Sequence, residues 1–211
     1  MDKVKESTEE VIIRPVTQND IPTIRSIAVE GFGEDVAFKL EHYESQLSIF
    51  PEGQQCAEYN GTIIGASGSL IVTRDQFEKD HTLDDICNKG YIYNHNPEAN
   101  HLYGIEVVVQ SKYRHMKVGK QLYQARKDLC QQLQLESIVI GGRIPFYHKY
   151  AHQYSPSEYV DNVMKRKIYD PVMTFQLNNG FTFHRIMRGY LPEDKESCTN
   201  ATLMEWKAPN D

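Results

Sequence analysis

The chain predicts a mixed α/β fold. Three observations carry this. A pair of strand-like runs, 55–59 and 62–72, is joined through Asn60-Gly61, a dipeptide that tolerates the positive φ angles of a tight hairpin. A β-branched run, Leu102 to Val109, leads through a short polar loop into an amphipathic helix. Short apolar runs and helical stripes alternate along the 211 residues, with no linker rich in Pro, Gly or Ser and no internal repeat.

The elements follow in order. Residues 1–10 are charged and polar and read as a disordered tail. Val11-Ile12-Ile13 reads as a strand ended by Arg14-Pro15. Thr17, three residues before Asp20, is a capping-box helix start, and Ile21, Ile24, Ile27 and Ala28 follow at helical spacing. A second helix is expected over 35–50, with Val36, Leu40, Tyr43, Leu47 and Phe50 on one stripe. The hairpin comes next. Residues 74–100 lack clear periodicity and read as a long, mostly irregular insertion. After the run 102–109, Val118, Leu122, Ala125, Leu129 and Leu133 define a helix over 118–133. Ser137 to Ile140 reads as a strand stopped by Gly141-Gly142. A second insertion, 143–175, contains the capping box Ser155-Pro156-Ser157-Glu158, and Asp170-Pro171 opens a further helix that Asn179-Gly180 ends with a left-handed cap. Strands at 182–187 and 202–206 close the fold. One domain over 11–207 is expected.

Composition narrows the function. The formal net charge is -6, which argues against nucleic acid as a partner, because phosphate binding needs a basic face. No run of apolar residues is long enough to span a membrane, and the start lacks the apolar core of a signal peptide. Cys56, Cys87, Cys130 and Cys198 are scattered without metal-ligand spacing and read as reduced thiols of a cytoplasmic protein. His148 and His152 lie four apart, but no third ligand supports a metal, and none is expected.

The chemistry concentrates after the central strand. Ile105-Glu106-Val107-Val108-Val109 is followed by Tyr113-Arg114-His115-Met116-Lys117-Val118-Gly119-Lys120 and then the helix. Free backbone N–H groups at a helix start, with the helix dipole and the charges of Arg114, Lys117 and Lys120, suit a pyrophosphate. An ordinary basic strand-to-helix turn is the competing reading.

Arg114-x-x-Lys117-x-Gly119 after a valine-rich strand resembles the cofactor-binding motif of the GNAT acetyltransferases. Asn179-Gly180-Phe181 looks like the Gly-Phe turn before that family's last hairpin, and the strand order is similar from Ile12 to Trp206. Phe50-Pro51-Glu52-Gly53-Gln54, His95-Asn96-Pro97, Leu102-Tyr103-Gly104, Gly141-Gly142-Arg143-Ile144-Pro145, Tyr169-Asp170-Pro171 and Thr174-Phe175-Gln176-Leu177 are similar, more narrowly, to the GNAT domain found fused to nitrilase-type carbon–nitrogen hydrolases. No hydrolase segment is expected after Trp206.

The resemblance implies a mostly antiparallel central sheet flanked by helices and splayed at its fourth and fifth strands. It implies acetyl-CoA as cosubstrate and an amine as acceptor, with a homodimer as a further expectation. The pantetheine arm is expected along Val107, Val108 and Val109, and the pyrophosphate on the amides from Arg114 through His115, Met116, Lys117, Val118 and Gly119 to Lys120. Lys117 replaces the family's first glycine, and is expected to begin the helix in ordinary geometry with its side chain outward. Glu106 is expected as the base that takes the amine's proton, with a structural ion-paired carboxylate as the other reading. Many relatives use a tyrosine four residues before the glycine of the Gly-Phe turn as the acid. Gln176 stands there, and an amide is no useful acid. Tyr169 is the expected substitute, with Tyr147 and His184 as others. Arg143 is expected to hold an acidic part of the substrate. The rival to an enzyme is a module of the same fold that binds acyl-CoA or docks on a partner.

Overall fold

The computed structural model describes residues 10–209. The expected tail, apart from Glu10, lies outside them. One seven-stranded sheet runs β1 (Ile12–Pro15), β2 (Gln55–Tyr59), β3 (Thr62–Val72), β4 (His101–Val109), β5 (Ser137–Arg143), β7 (Ala201–Lys207), β6 (Thr182–Met187) in spatial order. Every neighbouring pair is antiparallel except β4 with β5. The helices are α1 (Ile21–Phe32), α2 (Leu40–Ile49), α3 (Arg74–Glu78), α4 (Leu83–Ile86), α5 (Val118–Gln132), α6 (Pro156–Met164) and α7 (Pro171–Asn178).

Local chemistry fixes many boundaries. Asn60 and Gly61 turn the β2–β3 hairpin with φ of 49° and 74°. Asp20 accepts from the Thr17 N–H at 2.8 Å and is gripped by Arg14 at 2.8 and 3.0 Å, so the first capping box is locked to β1. Ser155 and Glu158 cap α6 reciprocally at 2.8 and 3.3 Å. Asp170, fully buried, caps α7 by accepting from Val172 and Met173 at 3.0 and 2.9 Å, and also accepts from Tyr159 at 2.8 Å and Phe146 at 3.2 Å. That one carboxylate ties both ends of the second insertion together around a small core of Ile144, Tyr159, Val163 and Met173.

Residues 74–100 are mostly irregular, as their sequence predicts, but they hold the short α3 and α4 and bury Phe77, Ile86, Cys87 and Ile92 in the main core, so the polar sequence conceals a packed layer. Two expectations need correction. The second helix begins at Leu40 rather than 35: residues 34–36 form a turn, and the supposed stripe residue Leu40 is exposed. Gly141-Gly142 does not stop β5, because antiparallel pairing with β7 carries the strand through to Arg143 opposite Ala201.

The decisive feature is where β4 and β5 part. They pair only from His101↔Ser137 to Gly104↔Ile140. Beyond that rung β4 continues to Val109 against β3 alone, and β5 continues against β7 alone. The pairing of β3 with β4 shifts at the same place: Gly68 faces Glu106 and Ser69 faces Gly104, leaving Ile105 as a bulge. The guanidinium of Arg126, from α5, lies over Gly104. A Cβ there would stand 2.6 Å from Nη1 and 2.9 Å from the Ile140 side chain. Gly104→Ala is therefore expected to lower stability by about 1–3 kcal/mol, the usual cost of overpacking, as a shifted midpoint in urea. A midpoint equal to wild type would show that Arg126 moves aside freely.

Candidate active site

The bulge sets the direction of Glu106. Its carboxylate points to the α1–α2 face, where Tyr43 of α2 donates to it, 2.9 and 3.0 Å from its two oxygens. The next residue, Val107, packs on the opposite face with Val118 and Leu122 of α5. Val108 returns to the first face against Gly31 of α1, and Val109 to the second. Glu106 is 8% exposed and borders a crevice of about 10 Å³, shared with Gln46, Gln54 and Ser67, which is room for about one water molecule. Burial raises the carboxyl to about 7, against the lowering effects of the Tyr43 hydrogen bond and the charge of Arg126. Burial likewise raises the Tyr43 phenol, and the neighbouring Glu106 charge adds to it, so Tyr43 stays a donor.

The loop that follows is a 3-10 turn, Ser111–Met116, tied to α1 by Glu30, which accepts from the Ser111 N–H at 3.1 Å. Lys117 then adopts φ 58°, ψ 25° and caps α5 without a side-chain hydrogen bond. This overturns the expectation of ordinary geometry there. The tight step from the 3-10 turn into α5 needs a left-handed residue, which is the conformation a glycine takes at no cost. The exposed Lys117 side chain does point outward, as do those of Arg114, His115 and Lys120. The first N–H groups of α5, at Val118, Gly119 and Lys120, lie where a helix leaves its donors free. Phe175 of α7 stands over Gly119, 3.2 Å from the position of an added Cβ. Its neighbour Gln176 fills the place of a side chain on Gly142, with its Oε1 buried and unpaired.

The expected acid does not join these groups. Tyr169 is 62% exposed and its ring meets the edge of Phe146, whereas Glu106 is buried between α2 and β3. Tyr147 donates to the Tyr154 carbonyl at 3.1 Å, and His184 lies 3.0 Å from Glu205. Arg143, expected to receive an acidic substrate group, is held by the chain itself: Asp194 at 2.7 and 2.6 Å and Glu196 at 3.0 Å. Two residues of the site are not announced by their sequence positions. Tyr43 reads from its spacing as an apolar stripe residue, and nothing local announces a hydroxyl aimed 63 residues away. Arg126 lies four after Leu122 and three before Leu129, so a charge on the buried stripe of α5 was the available signal. Among the described residues no three His, Cys, Asp or Glu side chains group as metal ligands, and no helix is long and apolar enough to cross a membrane. The four thiols are free.

A family model for the acetyltransferase (GNAT) family matches residues 21–151. Two proteins of Bacillus subtilis (strain 168) are similar along nearly the whole chain. The probable hydrolase YhcX is 50% identical over 198 residues, which cover 94% of this chain and 39% of that protein, so the chain corresponds to a minor part of its length. The uncharacterized N-acetyltransferase YkwB is 38% identical over 203 residues, covering 94% of this chain and 89% of that protein. Among solved structures, the GphF GNAT-like decarboxylase in complex with isobutyryl-CoA superposes with a TM-score of 0.80 at 17% identity, over 94% of this chain and 100% of that one, a likeness of fold.

Two outcomes follow from the site's strain and burial. Lys117→Gly is expected to stabilise by about 0.5–1 kcal/mol, the left-handed penalty relieved less the entropy of glycine; a lower thermal midpoint would contradict the reading. Glu106, like the buried Asp170, is a carboxylate whose folded value burial raises. Its contribution to stability is full below the ordinary value of 4.5 and is lost as pH rises through about 7. Glu106→Gln is therefore expected to be more stable than wild type at pH 8, with the advantage gone near pH 4.5. A constant difference across that window would count against a buried, raised carboxyl.

Proposed function

The chain belongs to the GNAT family of acetyltransferases, and from that premise we propose that it transfers an acetyl group from acetyl-CoA directly to an amine in the cytoplasm. The observation that carries this reading is the parting of β4 and β5 beside a buried, partly protonated Glu106. The unpaired edge of Ile105–Val109 suits an amide-bearing arm laid along it as an added strand. The orphaned Oε1 of Gln176 supplies an acceptor for such an amide at the other wall of the slot. The free N–H groups at the start of α5, with Arg114, Lys117 and Lys120 around them, suit a pyrophosphate. The residues present thus fit coenzyme A, which when bound supplies the acyl thioester.

The protein's own part is positioning and proton transfer. The amine nitrogen attacks the thioester carbon, the C–N bond forms, and the C–S pair of electrons leaves on sulfur. Glu106 takes the ammonium proton, directly or through the water its crevice can hold. A value near 7 suits a base that must accept a proton at neutral pH and release it afterwards. Tyr43 keeps the carboxylate oriented by donating to it. Tyr169 and Arg143 carry no role in this scheme, because the first is exposed and the second is paired internally.

A second reading is favoured by Gln176: an acyl-CoA-binding module that lacks an acid and serves a partner. Turnover separates the two.

Binding is checked by thermal shift. At 100 times its dissociation constant a ligand adds about 2.7 kcal/mol, so acetyl-CoA or CoA is expected to raise the midpoint by about 5–10 °C. ATP is expected to have no effect, and Gly119→Glu, which places a charged side chain under Phe175, is expected to abolish the shift. No shift at millimolar acetyl-CoA would sink the proposal. With a panel of amines, kcat/KM is expected to fall tenfold per pH unit below about 7, and Glu106→Gln to lose at least a hundredfold in rate. Unchanged turnover in Glu106→Gln would remove it as the base.

A further inference from the structure

Arg126 is a charged residue on the buried face of α5. It is 2% exposed, in the middle of α5, and has no carboxylate within ion-pair distance among the described residues. Its Nε donates to Ser69 Oγ at 3.0 Å, and Nη2 donates to the carbonyls of Gly68 and Glu106 at 3.0 and 2.7 Å. These bonds hold both sides of the bulge. Nη1 has no acceptor among the described residues. It stands over Gly104 and next to Ile140, on the last rung before the two strands part. Nη1 is not among the side-chain atoms sealed from solvent without a partner, so this end of the guanidinium is open to a ligand and free to meet negative charge there. Its site is the apex of the slot, on the α5 face, with the Glu106 carboxylate across the sheet.

We propose that Arg126 is the electrophilic group of the transfer: Nη1 stabilises the negative charge on the departing sulfur of coenzyme A. This rests on the slot being the coenzyme A site. It answers the problem posed by Gln176, which cannot deliver a proton. A guanidinium is not an acid either, since it keeps its protons throughout the working range. It offers a fixed positive charge that needs no reorganisation as the C–S bond breaks. The electron pair settles on sulfur beside Arg126 and the sulfur takes its proton from solvent on release, while the amine's proton has gone to Glu106. Burial lowers the hold of Arg126 on its own proton only against a very high starting value, so the charge persists. The other titratable groups facing the apex are Tyr123 of α5, Tyr103 of β4, Glu106, and Tyr190 from the β6–β7 connection, whose phenols burial keeps protonated. Arg126 is the cation among them.

The test uses coenzyme A itself and needs no amine. Thiolate formation is followed by ultraviolet absorbance across pH for CoA bound to wild type, to Arg126→Met and to Arg126→Lys, with binding measured separately by calorimetry. The thiol bound to wild type is expected to titrate at least about one pH unit below free CoA, as an opposite charge within contact distance produces. Arg126→Met is expected to bind CoA and lose that shift, and Arg126→Lys to keep part of it. A wild-type titration at or above that of free CoA overturns the proposal without any variant, as does an unchanged shift in Arg126→Met. Failure of wild type to bind CoA would instead strike the underlying reading of the slot.

Discussion

Three glycines hold the strands apart. At Gly104, Gly141 and Gly142 the space a Cβ would occupy is filled from elsewhere: by Arg126 on one side, by Tyr190 over Gly141, and by Gln176 over Gly142. Side chains at these positions would compete with the groups that wedge into the centre of the sheet. Because β5 is held instead by β7 along its whole length, it can leave β4 after Gly104 without losing its ladder. The bulge at Ile105 directly follows this crowded rung, and it turns Glu106 to the α1–α2 face. Slot, bulge and carboxylate thus meet at one packing constraint.

That constraint leaves the centre electrostatically expensive. A guanidinium and a carboxylate are buried on opposite faces of β4, linked through the Glu106 carbonyl rather than as an ion pair. Lys117 adds a left-handed backbone at the entrance of α5. Each costs stability, and each lies where an anionic, amide-bearing ligand is read to bind. Left-handed backbone is spread over the fold, at Ile92, Arg166 and Thr199 as well as Lys117, so it is the buried guanidinium and carboxylate that mark this locus. Asp170 and the Arg143–Asp194 pair, by contrast, have their charges satisfied within the chain.

Much of this was legible in the chain. Asn60-Gly61, the capping boxes at Thr17 and Ser155, the Asp170 cap, and the stripe of α5 act through neighbours a few residues away, so sequence spacing reports them. The strand and loop that carry the family motif were legible for the same reason. What was hidden depends on distant partners. β5 runs through two glycines because β7 pairs with them, and the polar stretch 74–100 folds because α3 and α4 find the core. Lys117 departs from the geometry its residue type favours because the step into α5 demands a left-handed residue. Tyr43 and Arg126 act across 63 and 20 residues of chain respectively, and local patterns record only that each sits on a buried stripe.

The central claim is that the open edge of β4 beyond Gly104 is a binding edge. Hydrogen–deuterium exchange with and without coenzyme A tests it residue by residue. The amides of 105–109 and 118–120 are expected to slow on addition of coenzyme A, while β1 and the β2–β3 hairpin keep their rates. Protection confined to the surface around α5, with residues 105–109 exchanging as before, would contradict the account: the slot would then be a feature of packing and not the seat of the ligand.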